Sequence, residues 1–563
     1  MSTLFDKILA ARGLQDEATR AAFLNPQYDD GHDPFLLPDM NKAVTRLLEA
    51  HQNGEHITIY GDYDIDGLTA TTVLLDAFGS FGFGTVDTFM PNRFIEGYGL
   101  TIDAIEKIAK TGTQLIVTVD CGSLSEKEII RAGELGMDVI VTDHHNVLPM
   151  QPPAIAVVNP KRLLQDNPDE YEDFILKNDS TKKDELYPFL DLPGVGVAFK
   201  LVQALQTRLD GLEKGHEKWL LDLVALGTVC DVVTLRDENR MHVYYGLKVL
   251  SKTRRPGLTA LMTISKIDSD TVNTRSLGFG LGPRMNAAGR LETAQISLDM
   301  LRASTSMEAY ELAERLDIMN TSRRSDQDKI FKEAIKQAEE YRDDNVLVVS
   351  APDWNHGIIG IVAAKLLERY KKPTYVLQEM GEESKGSARS YGDFSAADAI
   401  RASDNIITKG GGHKLAAGVT MPTSNIAAFR QRVNEFYDEL NLKDQELLLL
   451  PTEDCEAAIE EVDETLIAQL STLEPFGSAN PQPILKSTNL TVVGVRKMGT
   501  DNQHVKIEVV SESRVSMQLL AFNAPAHFFV NTGEVIQAWY QPDVNEWQGR
   551  RSIEGRLLRL ENQ

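Results

Sequence analysis

The chain has 563 residues, with 58 Lys or Arg against 83 Asp or Glu, a formal net charge of −25. Hydrophobic residues at 42% and charged residues at 25% are ordinary globular values and exclude a disordered chain, a collagen-like fibre and a disulfide scaffold. The acidity argues at first against a nucleic-acid partner, whose footprint is usually basic, although net charge describes the far field and can hide a local positive groove.

The length predicts about three or four domains. Cys121, Cys230 and Cys455 form no C-x-x-C pair and fit a reducing cytosol. The N-terminus has no apolar run of signal-peptide length, and no window reaches about 18 apolar residues. A soluble, cytoplasmic protein is expected.

Residues 1–50 read as amphipathic helix broken by polar turns. A short β-rich run, 56–60, then ends in Gly61 and an acidic turn, and a helical stretch follows over 68–82. An apolar strand over 115–119 ends in Asp120-Cys121-Gly122, with a helix at 125–136. A third strand, 138–142, ends in Asp143-His144-His145. Strands alternating with helices predict a parallel α/β sheet, in which ligands bind beyond the carboxyl ends of the strands. The three acidic clusters should therefore meet at one edge. Residues 161–187 are polar and acidic and read as a surface insertion. Residues 198–230 read as helical, with Asp231 directly after. The stretch 303–343 reads as a long connecting helix without Gly or Pro. A second α/β pattern starts at Asn345 and closes near 440. The last 115 or so residues carry short β-type runs at 490–498, 504–511, 515–522 and 534–541, a small-barrel pattern.

The strongest chemical signal is GDYDIDG at 61–67. Asp62, Asp64 and Asp66 alternate straight after an apolar strand, and alternation puts them on one face of extended chain. Three anions aimed at one place need a cation among them. Alone, such a run would be a solvated turn, and the flanking elements do not fit a calcium EF-hand. Asp120, Asp143-His144-His145 and Asp231 each follow their own apolar run. One such acid would usually be a helix cap; the recurrence points to hard divalent cations. Mixed carboxylate and imidazole ligands suit manganese, and magnesium less ideally.

The strings GDYDIDG, VDCG, TDHH and GTVCD resemble the motifs of the DHH phosphoesterase superfamily. PNRFIEGYGL (91–100), GPRMNAAGR (282–290), KGSARS (385–390), GGGHKLAAG (410–418) and EPFGSANPQP (474–483) narrow the resemblance to its RecJ family of single-strand-specific 5′→3′ exonucleases. It runs from about residue 55 to near the C-terminus. After the helical segment read at 1–50, it implies a parallel-sheet DHH catalytic domain (51–302), a connecting helix (303–343), a second α/β domain of DHHA1 type (344–445) and a C-terminal OB-fold β-barrel that binds single strands (446–563). It also implies a two-metal site for Mn2+ or Mg2+ held by Asp64, Asp66, Asp120, His144 and Asp231, with Asp120 bridging. Asp62 stands where related phosphoesterases carry a histidine ligand. By the same resemblance, Asp143 orients His144 from behind and His145 faces the scissile phosphate. Arg93, Arg284, Ser387 and Arg389 fall in motifs resembling the family's 5′-phosphate pocket, and Gly410-Gly411-Gly412 with His413 is expected to bring backbone amides and an imidazole to the same substrate.

Phe522, Phe528, Phe529, Trp539, Tyr540 and Trp547, with Arg550 and Arg551, are the barrel's candidates for stacking and backbone contact, most of the aromatics being expected in its core. The resemblance implies a metal-dependent exonuclease releasing 5′-mononucleotides from single-stranded DNA in recombination and repair. A helicase and a single-strand-binding protein are its implied companions, and it is expected to be a monomer. A phosphodiesterase for smaller substrates would need neither the barrel nor the long helix. A non-catalytic binding module would not need the complete ligand set. Acids at 161–187 and 453–464 are expected away from the substrate path, leaving an acidic shell around a positive cleft between the first two domains that admits one strand and excludes a duplex.

Overall fold

A computed structural model describes residues 3–166, 168–169, 171, 185–443, 445–547 and 550–563, the side chains of Trp547 and Arg550 excepted. The first sheet consists of β1 (Ile57–Gly61), β2 (Val86–Phe89), β3 (Leu115–Val119), β4 (Asp138–Thr142) and β5 (Ala156–Val158). Its order is β2-β1-β3-β4-β5 and every pairing is parallel. β1 and β3 are buried along their whole length, as parallel strands covered on both faces must be. The helix Ile65–Phe81 is apolar nearly all round and fills the core beside them.

The helical half of this body differs from expectation in one respect. The region 198–230 is two helices, Gly194–Gln206 and Leu221–Cys230, joined through a short 3₁₀ turn. The helix Ser306–Glu340 starts at a Thr305 cap and spans two cores. Ala309, Ala313 and Leu316 pack into the first body, while Ile330, Ala334 and Ala338 pack under the second.

The second body is a mixed sheet of β6 (Leu347–Ala351), β7 (Thr374–Met380), β8 (Glu383–Arg389), β9 (Lys409–Gly412) and β10 (Ala416–Pro422), ordered β6-β7-β8-β10-β9. The helix His356–Tyr370 lies between this sheet and the long helix.

The third body is a barrel of β12 (Leu485–Met498), β13 (His504–Val510), β14 (Ser516–Ala521), β15 (Val535–Trp547) and β16 (Arg550–Asn562), with β11 (Cys455–Glu456) added beside β12. Pairing of β12 with β15 closes it. Val505, Ile507 and Val509 alternate inward against Met517, Leu519 and Ala521, the period of two that strands impose. The last strand has no apolar alternation in its sequence, because Glu554 is buried there on Lys506 and Asn545.

Two expectations are corrected. Residues 1–50 do not form one segment: Leu4, Ile8 and Leu9 belong to the barrel core, whereas Met40, Val44 and Leu47 belong to the first body. The stretch 161–187 is not all surface. Leu163, Tyr171 and Tyr187 are buried, because they belong to the core of the first body; 167, 170 and 172–184 lie outside the described residues. Among the described residues no helix is long and apolar enough to cross a membrane.

Candidate metal centre and substrate cleft

The carboxyl ends of β1, β3 and β4 deliver Asp62, Asp120 and Asp143 to one edge of the sheet. Asp64 caps the helix Ile65–Phe81, its Oδ1 accepting from the amides of Asp66 and Gly67. Asp66, in the first turn, turns inward; its two oxygens accept from the amides of Gly194 (2.6 Å) and Val195 (2.8 Å), which open the next helix. A Cβ on Gly194 would lie 2.6 Å from the Asp120 Cβ, so only glycine lets that helix end approach. Asp231 follows a helix, as the sequence indicates: it caps the C-terminal end of Leu221–Cys230, where a carboxylate is disfavoured.

His144 Nε2 lies 3.1 Å from Asp120 Oδ1 and 3.7 Å from both Asp66 Oδ2 and Asp231 Oδ2. The ligand atoms of Asp62, Asp64 and Asp120 lie within 4.8 Å of one another, as do those of Asp66, His144 and Asp231, and those of Asp120, His144 and His145. Asp120 and His144 therefore each belong to two of the three groups. Asp120 has φ 61°, the left-handed region, which turns its carboxyl back over the strand end.

Asp143 is corrected from the expected role. Its Oδ1 accepts from the backbone amides of His144 and His145 and contacts His145 Nδ1 at 2.9 Å, so it orients the His145 ring. The His144 ring instead faces Asp120, Asp66 and Asp231. The turn after β4 reverses the chain and brings the second histidine, not the first, over the carboxylate. Tyr98 Oη is 2.9 Å from the same His145 nitrogen, a contact within PNRFIEGYGL that its lone tyrosine did not signal.

The electrostatics ask for cations. Burial, then the neighbouring Asp64, pushes Asp66 up to about 7, and burial, then Asp66, pushes Asp231 up to about 9. Asp62 and Asp120 are raised for the same reasons. Burial and the adjacent His145 bring His144 down to about 3, so its ring is neutral. Burial opposes a charged Asp143, but the hydrogen bond and charge of His145 outweigh it and hold that carboxyl low. Asp62 Oδ1, Asp120 Oδ1 and His144 Nε2 are all buried without a hydrogen-bond partner among the described residues. Lone pairs facing one another in this way are the donor set of a hard divalent cation, and the residues fit one well.

Metal binding must then displace protons. For Asp66 and Asp231 the folded pKa lies above the ordinary 3.8. The stability they contribute is whole below that ordinary value and is lost as pH rises through about 7 and then about 9. The metal-free protein should lose stability over this window, and the gain in melting temperature on adding Mn2+ should grow between about pH 6 and about pH 9. Thermal melts with and without the ion check this; a gain that does not vary with pH would place the ion elsewhere.

A second set of charges lies beside the acids. Arg93 stacks on Tyr63, 4.1 Å from the ring centroid, and its buried Nε has no partner among the described residues. Burial, then the charges of Arg93 and Arg323, brings Arg290 down to about 10, and burial, then Arg93, lowers Arg389. Arg290 donates to Gly357 O at 2.9 Å. A Cβ on Gly360 would sit 3.2 Å from Ser387 Oγ and 3.3 Å from Arg389 Nη2, so this glycine floors the space where the two meet. Arg284 is elsewhere engaged, with Asp317 of the long helix at 2.7 Å and with Gly280 O. Arg290, in the same motif, instead lies within reach of the charges of Arg93 and Arg389. His413 Nδ1 contacts Asn146 Nδ2 at 3.2 Å, and His145 and Lys161 both act on its charge.

A cavity of about 710 Å³ opens beside Cys230, between the first body, the long helix and the barrel. Arg275, Arg290, Arg323 and Arg556 line it with Phe279 and Phe476, and among the described residues no acid does. Of the barrel aromatics, Phe528, Trp539 and Tyr540 are buried and Phe522 is exposed. Phe529 is partly buried and Arg551 is exposed at the surface, while the side chains of Trp547 and Arg550 lie outside the described residues.

Family models match the chain in the order seen in the fold. The DHH family N-terminal domain covers 56–228, the DHHA1 domain 343–439 and the RecJ OB domain 453–558. The single-stranded-DNA-specific exonuclease RecJ of Bacillus subtilis (strain 168) is 36% identical over 98% of this chain and 67% of its own. That of Escherichia coli (strain K12) is 33% identical over 92% and 89%. Among solved structures, RecJ from Thermus thermophilus in complex with Mn2+ superposes with a TM-score of 0.79 at 26% identity, covering 100% of this chain and 78% of that one. With relatives at this identity along nearly the whole chain and the three domains in register, the chain belongs to the RecJ family of single-stranded-DNA-specific exonucleases.

Proposed function

We propose that this protein is a Mn2+- or Mg2+-dependent exonuclease that degrades single-stranded DNA from its 5′ end to 5′-mononucleotides, in DNA recombination and repair beside a helicase and a single-strand-binding protein. The observation that carries the reading is the adjacency of an acid–histidine cradle, a buried arginine pocket and an acid-free cleft. Asp64, Asp66, Asp120, His144 and Asp231 would hold two ions, with Asp62 beside them. Such ions activate water and balance charge on the phosphoryl oxygens. Arg93, Arg290, Ser387 and Arg389 hold the terminal phosphate, since planar guanidinium groups suit bidentate contact with it. His145, oriented by Asp143 and Tyr98, faces the scissile phosphate. Water adds to phosphorus, the bond to O3′ of the first nucleotide breaks, and that oxygen leaves with a proton. The phosphate stays on the shortened strand as its new 5′ end, ready for the same pocket.

The test gives the protein and Mn2+ a labelled single strand, its duplex and a dinucleotide. Mononucleotides released from the 5′ end of the single strand, and not of the duplex, support the reading. Hydrolysis of the dinucleotide alone would indicate a small-substrate phosphodiesterase, and binding without hydrolysis a recognition module. Arg389→Ala should weaken use of 5′-phosphorylated ends about tenfold to a hundredfold, the worth of one charge-assisted contact. Dephosphorylated ends should lose less; equal loss on both would move Arg389 out of the pocket.

A further inference from the structure

The segment Asn159–Arg162 follows β5, on the same sheet edge as the acids, and forms a 3₁₀ turn. Asn159 is fully buried. Its Oδ1 accepts from the Lys161 amide, while its Nδ2 donates to Ser123 Oγ and to the carbonyl of His145, all at 2.9 Å. Arg162 is tied to Asp39 at 2.6 Å and to Val157 O at 2.7 Å. The turn is thus rigid and hangs from the backbone of a histidine in the site. Lys161, between these two anchored neighbours, is only half-buried. Among the described residues its ammonium makes no hydrogen bond or ion pair, in surroundings rich in carboxylates.

The order of the sheet shows where it stands. In β2-β1-β3-β4-β5, Arg93 follows β2 at one edge and Lys161 follows β5 at the other. Asp62 and Asp120 follow β1 and β3 and the two histidines follow β4, so they lie between, and Asn159 ties the Lys161 turn to the His145 carbonyl. In keeping with this, the charge of Lys161 reaches His144, Asp231 and His413, and that of Arg93 reaches Asp62, Arg290 and Arg389.

We infer that Lys161 holds the phosphate immediately 3′ of the scissile one. This rests on the reading of the site as a 5′ exonuclease. The terminal phosphate has its arginines and the scissile one has the acid–histidine cradle. The next charge along the strand lies past the cradle, on the side away from Arg93, where the Lys161 ammonium has no hydrogen bond or ion pair among the described residues. The residue type suits the task. A terminal phosphate is gripped and fixed, which planar, bidentate arginine does well; an internal phosphate must advance at every turnover, which a point charge on a flexible stem permits.

The experiment compares a 5′-phosphorylated trinucleotide with a 5′-phosphorylated dinucleotide, which lacks that one phosphate. The ratio of their kcat/KM values should fall about tenfold in Lys161→Gln, the loss of a single charged contact, and recover in part in Lys161→Arg. On a long strand the log–log salt slope should shrink by about 0.7. An unchanged ratio, whether both substrates suffer equally or neither does, overturns the assignment. Failure of the unaltered protein to cleave either substrate would instead strike the proposed function itself. An unchanged melting temperature in Lys161→Gln is expected, since no contact of the fold is removed.

Discussion

Asp120→Ala abolishes hydrolysis of a 5′-phosphorylated single strand and leaves the strand bound. The expected fall in kcat is at least about a thousandfold, because a ligand shared by two groups disappears and several kcal/mol of charge stabilisation go with it. Binding survives because the arginine pocket and the acid-free cleft are built by other residues. The stability of the metal-free protein should move the other way. Asp120 is buried among Asp66, Asp64 and Asp62, which raise its pKa after burial itself, so removing it relieves repulsion. The backbone complicates alanine, which is poorly suited to φ 61°. Asp120→Asn is the cleaner variant: asparagine tolerates that conformation and keeps the shape while losing the charge. Single-turnover assays with Mn2+, anisotropy on an uncleavable strand and metal-free melts read the three outcomes. Turnover retained in Asp120→Asn would overturn the ligand assignment.

Arg240→Ala should loosen the barrel from the catalytic body. Arg240, on the helix Asp237–Leu250, is 3% exposed. Its guanidinium donates to the carbonyls of Phe23, Leu473, Glu474 and Pro475, and stacks 3.8 Å from the Phe23 ring centroid. It thus ties the first body to the N-terminal segment and to the loop carrying Phe476. Asn480 also donates to Leu473 O and Pro475 O, so truncation strands chiefly the carbonyls of Phe23 and Glu474. Two orphaned acceptors and a lost cation–π contact come to about 2–4 kcal/mol. The same loop accepts from the Leu235 amide through Ser478 O at 2.8 Å, four residues beyond Asp231. Loosening it opens one wall of the cleft. Melting should begin earlier, amide exchange should rise over 473–483, and affinity for a long strand should fall more than affinity for a dinucleotide. Uniform exchange with unaltered melting would show that the barrel is held by other contacts.

The acid–histidine cluster was legible in the sequence because its signal is local. An apolar strand ending in an acid can be read within about ten residues, and β1, β3 and β4 each end that way. The long helix and most barrel strands were legible for the same reason. The three-residue β5, within a proline-containing stretch, was not, and with it the turn of Lys161 was read as insertion. Arg284 and Arg290 looked equivalent in one motif. Six residues apart on the helix Gly282–Leu291, they point about 120° away from each other. One meets Asp317 and the other meets the pocket.

Composition and motif thus determined, without coordinates, which residues are able to bind metal and phosphate, because residue type and short-range period are properties of the chain alone. Tertiary structure decided which of them meet. The amides holding Asp66 come from a helix 128 residues away, and Asp143 serves His145 only because of the turn behind it. The negative excess did not forbid a positive cleft, since arginines of three separate segments meet where no acid lines it among the described residues. Charges sum along a sequence, but a ligand meets them only where folding has sorted them.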